Sequence, residues 1–191
     1  MKNYWKTLGG CLAFVILMAG CVLLYKKLSA GYGTDSNLEI KGQVQESQKE
    51  DSSEAPDFTV ENSEGEMISL SSLEGKPVVL NFWASWCPPC KSEMPDFQKA
   101  YETYGEDIQF VMVNLTDGSR ETKETAKEYI DEQGYTFPVY YDVNMEAAYA
   151  YYVSAVPATY FINAEGKIVA AGRGMLDGES LEEGISILNT Q

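Results

Sequence analysis

The sequence predicts an α/β domain built on a mixed central sheet with helices on both faces. Three observations carry that prediction. Two short apolar runs, PVVLNFW at 77–83 and IQFVMVNL at 108–115, have the length and continuity of strands buried on both sides. Each is followed by a segment of helical character. Late in the chain, two short runs flank Asn163-Ala164-Glu165-Gly166, a hairpin signal. Strand–helix alternation gives parallel pairing and the hairpin gives antiparallel pairing, hence a mixed sheet.

Taken in order, the globular part begins at Pro56. Phe58-Thr59-Val60 and Met67-Ile68-Ser69-Leu70 flank Asn62-Ser63-Glu64-Gly65 and predict an N-terminal β-hairpin. The strand at 77–83 leads into a helix from Cys87 to about Tyr104, with Met94, Phe97 and Tyr101 on one face and Pro95 expected to kink it. After the strand at 108–115 comes a charged helix at 119–133, stopped by Gly134. A strand at 137–141, a short helix at 144–152, strands at 158–162 and 167–171, and an amphipathic helix at 181–188 complete the order. Tyr149, Tyr151 and Tyr152 read as core and surface aromatics rather than a binding box.

Ahead of this domain, residues 8–25 (LGGCLAFVILMAGCVLLY) carry no charge, with Lys2 and Lys6 before them and Lys26 and Lys27 after. A bilayer-spanning helix needs roughly 17–25 apolar residues, so residues 1–27 read as a membrane anchor with the remainder outside the cytoplasm. Two other readings stand beside it. One is a cleaved signal peptide. The other is a lipoprotein signal, in which Met18-Ala19-Gly20-Cys21 resembles a lipobox and Cys21 bears the lipid. Residues 28–55 are polar and almost free of large apolar groups, and read as a flexible extracytoplasmic linker with a reach of roughly 30 Å. The folded domain then spans 56–191.

Composition excludes several functions. The net charge is −15, and no Lys/Arg cluster suited to phosphates stands in the folded part, which argues against nucleic acid as a partner. The chain has no histidine, which removes Ser–His and Cys–His catalysis and the commonest zinc ligand. Of four cysteines, Cys11 and Cys21 lie in the apolar segment, so the domain holds only Cys87 and Cys90. Zinc needs four ligands, and this pair has no second half.

Cys87-Pro88-Pro89-Cys90 stands where a buried strand gives way to a helix. A helix N-terminus offers unpaired N–H groups and the positive end of the dipole, which lowers the pKa of a thiol placed there. Proline is tolerated in that turn because its missing N–H had no partner. Two intervening residues let the sulfurs meet across one turn. Cys87, at the open end, is the expected attacking thiol, and Cys90, one turn in, the resolving one. A purely structural disulfide across so short a loop stabilises little.

Residues 83–95, WASWCPPCKSEMP, resemble the active-site segment of the thioredoxin superfamily, and within it the TlpA/ResA-like branch of membrane-anchored thiol–disulfide oxidoreductases. A second match, Val156-Pro157-Ala158-Thr159-Tyr160-Phe161-Ile162, is similar to that family's cis-proline segment, with Ala158 in place of a threonine. The resemblance covers the chain from about Pro56 onward. The helical insertion after Leu115 fits this branch better than plain thioredoxin. The resemblance implies a thioredoxin-like fold and a redox-active Cys87–Cys90 disulfide. It implies a cis Pro157 facing the cysteines, with the Val156 backbone offered to a substrate strand. It also implies that Glu93 tunes the protonation of the pair, although an acidic residue near a helix N-terminus is favourable on its own account. Trp86 and Pro88 join Val156 and Pro157 as candidate substrate contacts, and Trp83 and Trp86 are expected to shield the disulfide. No cofactor or metal is implied. The partners implied are exported proteins bearing disulfides and a membrane electron donor of the CcdA/DsbD type.

Two rivals remain. A peroxiredoxin-like thiol peroxidase would want a Pro-x-x-x-Thr/Ser-x-x-Cys pattern, but Leu80 and Ala84 hold the matching positions. A non-catalytic exported binding module would use the disulfide as a staple.

Overall fold

All six side chains of strand β4 (Val78–Trp83) are buried, so this strand must lie at the centre of a sheet covered on both faces. A computed structural model describes residues 44–46, 53–73 and 75–188 and places it there. β4 pairs in parallel with β5 (Gln109–Asn114) and antiparallel with β7 (Ala158–Ile162). Beyond β5 stand β6 (Val139–Tyr141), then β2 (Thr59–Glu61) and β3 (Met67–Ser69). Beyond β7 stand β8 (Ile168–Arg173) and β1 (Val44–Glu46). The described residues thus form a mixed sheet of order β1-β8-β7-β4-β5-β6-β2-β3, the thioredoxin-like arrangement.

The strand period of two sorts the core. Val79 and Trp83 of β4, with Phe110 and Met112 of β5, face helices α1 (Pro88–Tyr104), α2 (Lys123–Gln133) and α4 (Gly178–Leu188). These helices contribute Met94 and Phe97, Ala126 and Ile130, and Leu181 and Ile185. Val78, Leu80 and Phe82 face the other way, toward Phe58 and Val60 of the hairpin and toward Ala147 of α3 (Glu146–Ala150) and Tyr151 just after it. Parallel crossovers β4–α1–β5 and β5–α2–β6 advance in one direction across the sheet, and the right-handed rule puts both helices on one face. Asn81 lies between Val79 and Trp83 in the same alternation. A polar side chain is thereby aimed into the α1 face, where it meets Glu93.

Several boundaries differ from those expected. Helix α2 starts at 123 rather than 119, because Asp117 Oδ1 accepts the N–H groups of Ser119, Arg120 and Glu121 (2.8, 2.7 and 3.1 Å) in a tight turn. Thr122 then caps the helix, in a capping box with Thr125. Helix α4 starts three residues early, Asp177 Oδ1 accepting from the N–H of Ser180 at 2.9 Å. Helix α1 runs through Pro95 without interruption.

The linker expected over 28–55 needs correction at its distal end. Val44–Glu46 pair antiparallel with Ala170, Ala171 and Gly172, and Ile168 N–H donates to Ser53 O at 2.9 Å. An edge strand joins through main-chain hydrogen bonds, which low hydrophobicity does not prevent. The expected anchor, residues 1–27 including Cys21, lies outside the described residues. Among the described residues no helix is long and apolar enough to cross a membrane.

Gly184 shows how closely α4 sits on the sheet. A Cβ there would run into the ring of Phe161, which is fully buried. Gly184→Ala gains about 1 kcal/mol of helix propensity but overpacks the core, so it is expected to destabilise the protein by about 1–3 kcal/mol net. Denaturant unfolding of the oxidised protein checks this.

Candidate active site

The chain leaves β4 at Trp83, turns through Ala84, Ser85 and Trp86, and enters α1 at Pro88. Cys87 is the N-cap, with extended backbone (φ −94°, ψ 106°). Its sulfur takes the place of a capping oxygen, accepting the N–H of Cys90 at 3.2 Å. Pro88 and Pro89 fill the first helical positions and bring no N–H of their own. The Lys91 N–H goes to Cys87 O (3.1 Å). One amide therefore serves the sulfur where a proline-free first turn would offer more. Cys87 and Cys90 form a disulfide, their Cα atoms 5.3 Å apart.

The outer sulfur is less open than expected. Cys87 is 2% exposed and Cys90 fully buried. Val156 O lies 3.6 Å from Cys87 Sγ. In the disulfide that is a contact only, since the sulfur carries no proton; once reduced, the Cys87 thiol has an acceptor within sulfur hydrogen-bond range. The Val156–Pro157 bond is cis. From here a groove of about 250 Å³ leads away, lined by Pro89, Val153, Val156, Pro157, Tyr160 and Arg173, with Tyr152 at its wall. Pro89 lines it, whereas Pro88, the proline singled out from the sequence, is exposed to solvent outside it. Trp83 is fully buried, but Trp86 is 37% exposed and only partly meets the expectation of a shield.

Glu93 sits on the buried side of α1, 1% exposed. Its Oε1 accepts from Asn81 Nδ2 and its Oε2 from the N–H of Leu176, both at 2.9 Å. Burial disfavours the ionised carboxylate and outweighs these two hydrogen bonds, pushing the pKa from 4.5 up to about 8. Asn81 Nδ2 also reaches Thr159 Oγ1 at 3.1 Å, while Asn81 Oδ1 has no partner. Turning the Asn81 amide over would place Oδ1 where Nδ2 now stands, ready to accept a hydrogen bond from the O–H of neutral Glu93. The orientation of that amide is thus coupled to the charge on Glu93.

Two residues of the site carried no signal in the sequence. Glu121, fully buried, accepts from Ser85 N–H (2.9 Å), Ser85 Oγ (2.7 Å) and Asn114 Nδ2 (2.7 Å), and so clamps the turn that precedes Cys87. Its neighbour Arg120 lays its guanidinium over the Trp86 ring, 3.5 Å from the centroid. The Asp117 turn that delays α2 is what presents both. The turn-forming residues Asp117-Gly118-Ser119 were the only available hint. Among the described residues no cluster of His, Cys, Asp or Glu is placed to hold a metal.

Residues 52–171 match the AhpC/TSA family. The chain is 43% identical over 133 residues to thiol-disulfide oxidoreductase ResA of Oceanobacillus iheyensis, covering 67% of each chain. It is 35% identical over 137 residues to ResA of Bacillus subtilis, covering 71% of this chain and 74% of that one. The crystal structure of StoA from Bacillus subtilis superposes with a TM-score of 0.60 at 32% identity, over 69% of this chain and 97% of that one.

The Glu93 site makes stability depend on pH with a definite sign. Its folded pKa lies above its unfolded one, so the folded state holds the proton more tightly. The associated stability is complete below about pH 4.5 and is lost as pH rises through about 8. In Glu93→Gln this dependence is expected to vanish. The difference in unfolding free energy between native protein and variant should change across that window, with a limiting slope of roughly 1.4 kcal/mol per pH unit. Denaturant titrations from pH 5 to pH 9 measure it.

Proposed function

The chain belongs to the AhpC/TSA family and is a thiol–disulfide oxidoreductase of thioredoxin-like fold, and we propose that it works outside the cytoplasm, held at the membrane by residues 1–27, as a reductase of disulfides in exported proteins. The apolar run at 8–25 supports the location. The observation that carries the direction is the cap of α1. With Pro88 and Pro89 in its first turn, the Cys87 thiolate receives one backbone N–H, from Cys90. A thiolate so sparsely stabilised makes the reduced state less favourable, and the pair correspondingly more reducing.

The cycle follows from the positions. The Cys87 thiolate attacks a substrate disulfide, a Cys87–substrate bond forms, and one substrate thiolate leaves. Cys90 then attacks Cys87 Sγ, the protein disulfide closes, and the second substrate thiolate leaves. Two electrons pass from the protein pair to the substrate, whose two thiolates take up two protons. The pair is restored by dithiol exchange with a membrane electron donor, a partner of the CcdA/DsbD type. Val156 and Pro157 border the attacking sulfur and Trp86 precedes it, which supports their role in seating the substrate. Glu93 supplies a buried carboxyl able to hold or release a proton near pH 8.

Two predictions follow from this chemistry. Cys87→Ser is expected to abolish disulfide exchange, whereas Cys90→Ser accumulates mixed disulfides that can be recovered from membranes and identified. Labelling intact, reductant-treated cells with an impermeant maleimide reads the location of the pair. Absence of any adduct in Cys90→Ser, or protection from the maleimide until cells are lysed, would contradict the proposal. Separately, Pro89→Ala returns an N–H to the first turn. It should lower the Cys87 pKa and shift the equilibrium with glutathione toward the reduced protein by about tenfold, the worth of one hydrogen bond to a charged sulfur. Alkylation rates against pH and a glutathione titration test both effects. A native pair already as oxidising as the variant would reverse the assigned direction.

A further inference from the structure

We propose that the chain's two arginines make the rim of the disulfide a reader of acidic substrate segments, selecting disulfides whose cysteine has a carboxylate beside it; this rests on the reductase reading above. In a chain of net charge −15 there are only two arginines, Arg120 and Arg173. Each stands against a residue or groove of the site. Arg120 lies over Trp86, the residue before Cys87. Arg173 lines the groove that opens from Val156 and cis Pro157. Both are exposed, and neither is in an ion pair among the described residues. Two of the lysines, by contrast, are paired, Lys123 with Glu61 and Lys127 with Asp131.

The chemistry of the two positions is specific. Guanidinium presents a planar fork of donors that matches a carboxylate in bidentate fashion. The Trp86 ring, its centroid 3.5 Å from the Arg120 guanidinium carbon, restrains that side chain, so less freedom remains to be lost on binding. In the groove, Val153, Val156, Pro157 and Tyr160 form an apolar trough with Arg173 as its single charge. Tyr152 adds a phenol, 88% exposed, on a backbone at φ 50° that non-glycine residues seldom adopt. The occupant that fits is an extended segment with an apolar side chain next to its cysteine and a carboxylate in reach of either arginine.

The overall charge sharpens this selection. Beyond a Debye length of about 8–10 Å the acidic surface of the chain has little hold on a partner, and within it a carboxylate at the rim meets the two guanidinium groups, with the exposed ammonium of Lys91, just after Cys90, drawn toward the Tyr129 ring at 4.7 Å. An acidic segment therefore gains by docking in register at Cys87, against the repulsion of a chain of net charge −15. The reaction is the exchange already described: one protein dithiol converts one substrate disulfide into two thiols.

The test uses the full-length reduced protein in detergent and peptide homodimers joined through a single cysteine flanked by Glu, Gln or Lys. Each rate is divided by that of dithiothreitol with the same peptide, which removes the effect of flanking charge on the leaving thiol. At low salt the normalised rate is expected to be about 3–10 times higher for the Glu peptide than for the Gln peptide, and lower again for Lys. The preference should fade at 0.5 M salt, with a Debye length near 4 Å, as charge pairs at an exposed rim do. Arg120→Gln and Arg173→Gln should each reduce the Glu/Gln ratio and together remove most of it; a ratio unchanged in the double variant overturns the assignment to the arginines. Arg173→Lys should keep part of it, and Lys99→Gln, far along α1, all of it. A normalised ratio of one in the native protein, with the Gln peptide still reduced, overturns the acidic-segment proposal alone. Failure to reduce any of the three peptides overturns the reductase reading on which it rests.

Discussion

The rest of the structure depends on one constraint, a sulfur serving as the cap of a helix that rises from a strand buried on both faces. Because β4 is covered on either side, its exit point is fixed to within the tolerance of close packing. The first turn of α1, anchored below by Met94 and Phe97, is fixed by the same core. Cys87 lies at that junction, and its partner one turn on is sealed inside. Sheet and helix position the reactive pair, with the clamped turn between them, and the cis Val156–Pro157 bond at the entry to the neighbouring strand β7 brings a third rigid element against the same sulfur.

Two buried polar networks flank this junction, and they differ in kind. Glu121 is well satisfied: its two oxygens take three donors from Ser85 and Asn114. That arrangement holds the approach to Cys87 in one conformation. Glu93 is the looser case, with two donors, a deep site and an Asn81 oxygen left without a partner. Desolvation is what raises the Glu93 pKa, and its two hydrogen bonds do not offset it. The same residue type, on the two sides of one turn, thus clamps the approach to Cys87 in one place and holds a readily exchanged proton in the other.

What could be read from the sequence followed physical range. The buried strands, the order of elements, the cap at Cys87 and the late hairpin are local, and period and turn chemistry reveal them. The pairing of Cys87 with Cys90 needed only their spacing and the lack of any other cysteine in the domain. The role of residues 117–121 was not legible, because nothing local marks Glu121 as buried or brings Arg120 to Trp86. Those contacts exist only once α2 is folded against the sheet. The place of Pro89 on the groove was not legible for a related reason. Which of two adjacent helix-start prolines faces the groove depends on where β7 runs, and that is a non-local fact. The edge strand at Val44–Glu46 was missed because hydrophobic patterning has no purchase on a polar segment that joins through its backbone.

Burial of the inner sulfur has a further consequence for the cycle. Exchange requires an incoming sulfur to approach in line with the bond being broken, and Cys90 is fully buried in the oxidised pair. In the proposed reductive cycle, an attacking thiolate from an electron donor would therefore engage Cys87, the same atom that attacks the substrate in the other half of the cycle. Under that proposal, donor and substrate would occupy the same rim, bordered by Trp86, Val156 and Pro157, one at a time, and the two half-reactions would alternate. The chemistry by which the rim recognises a substrate segment would then be one that a donor has to satisfy as well.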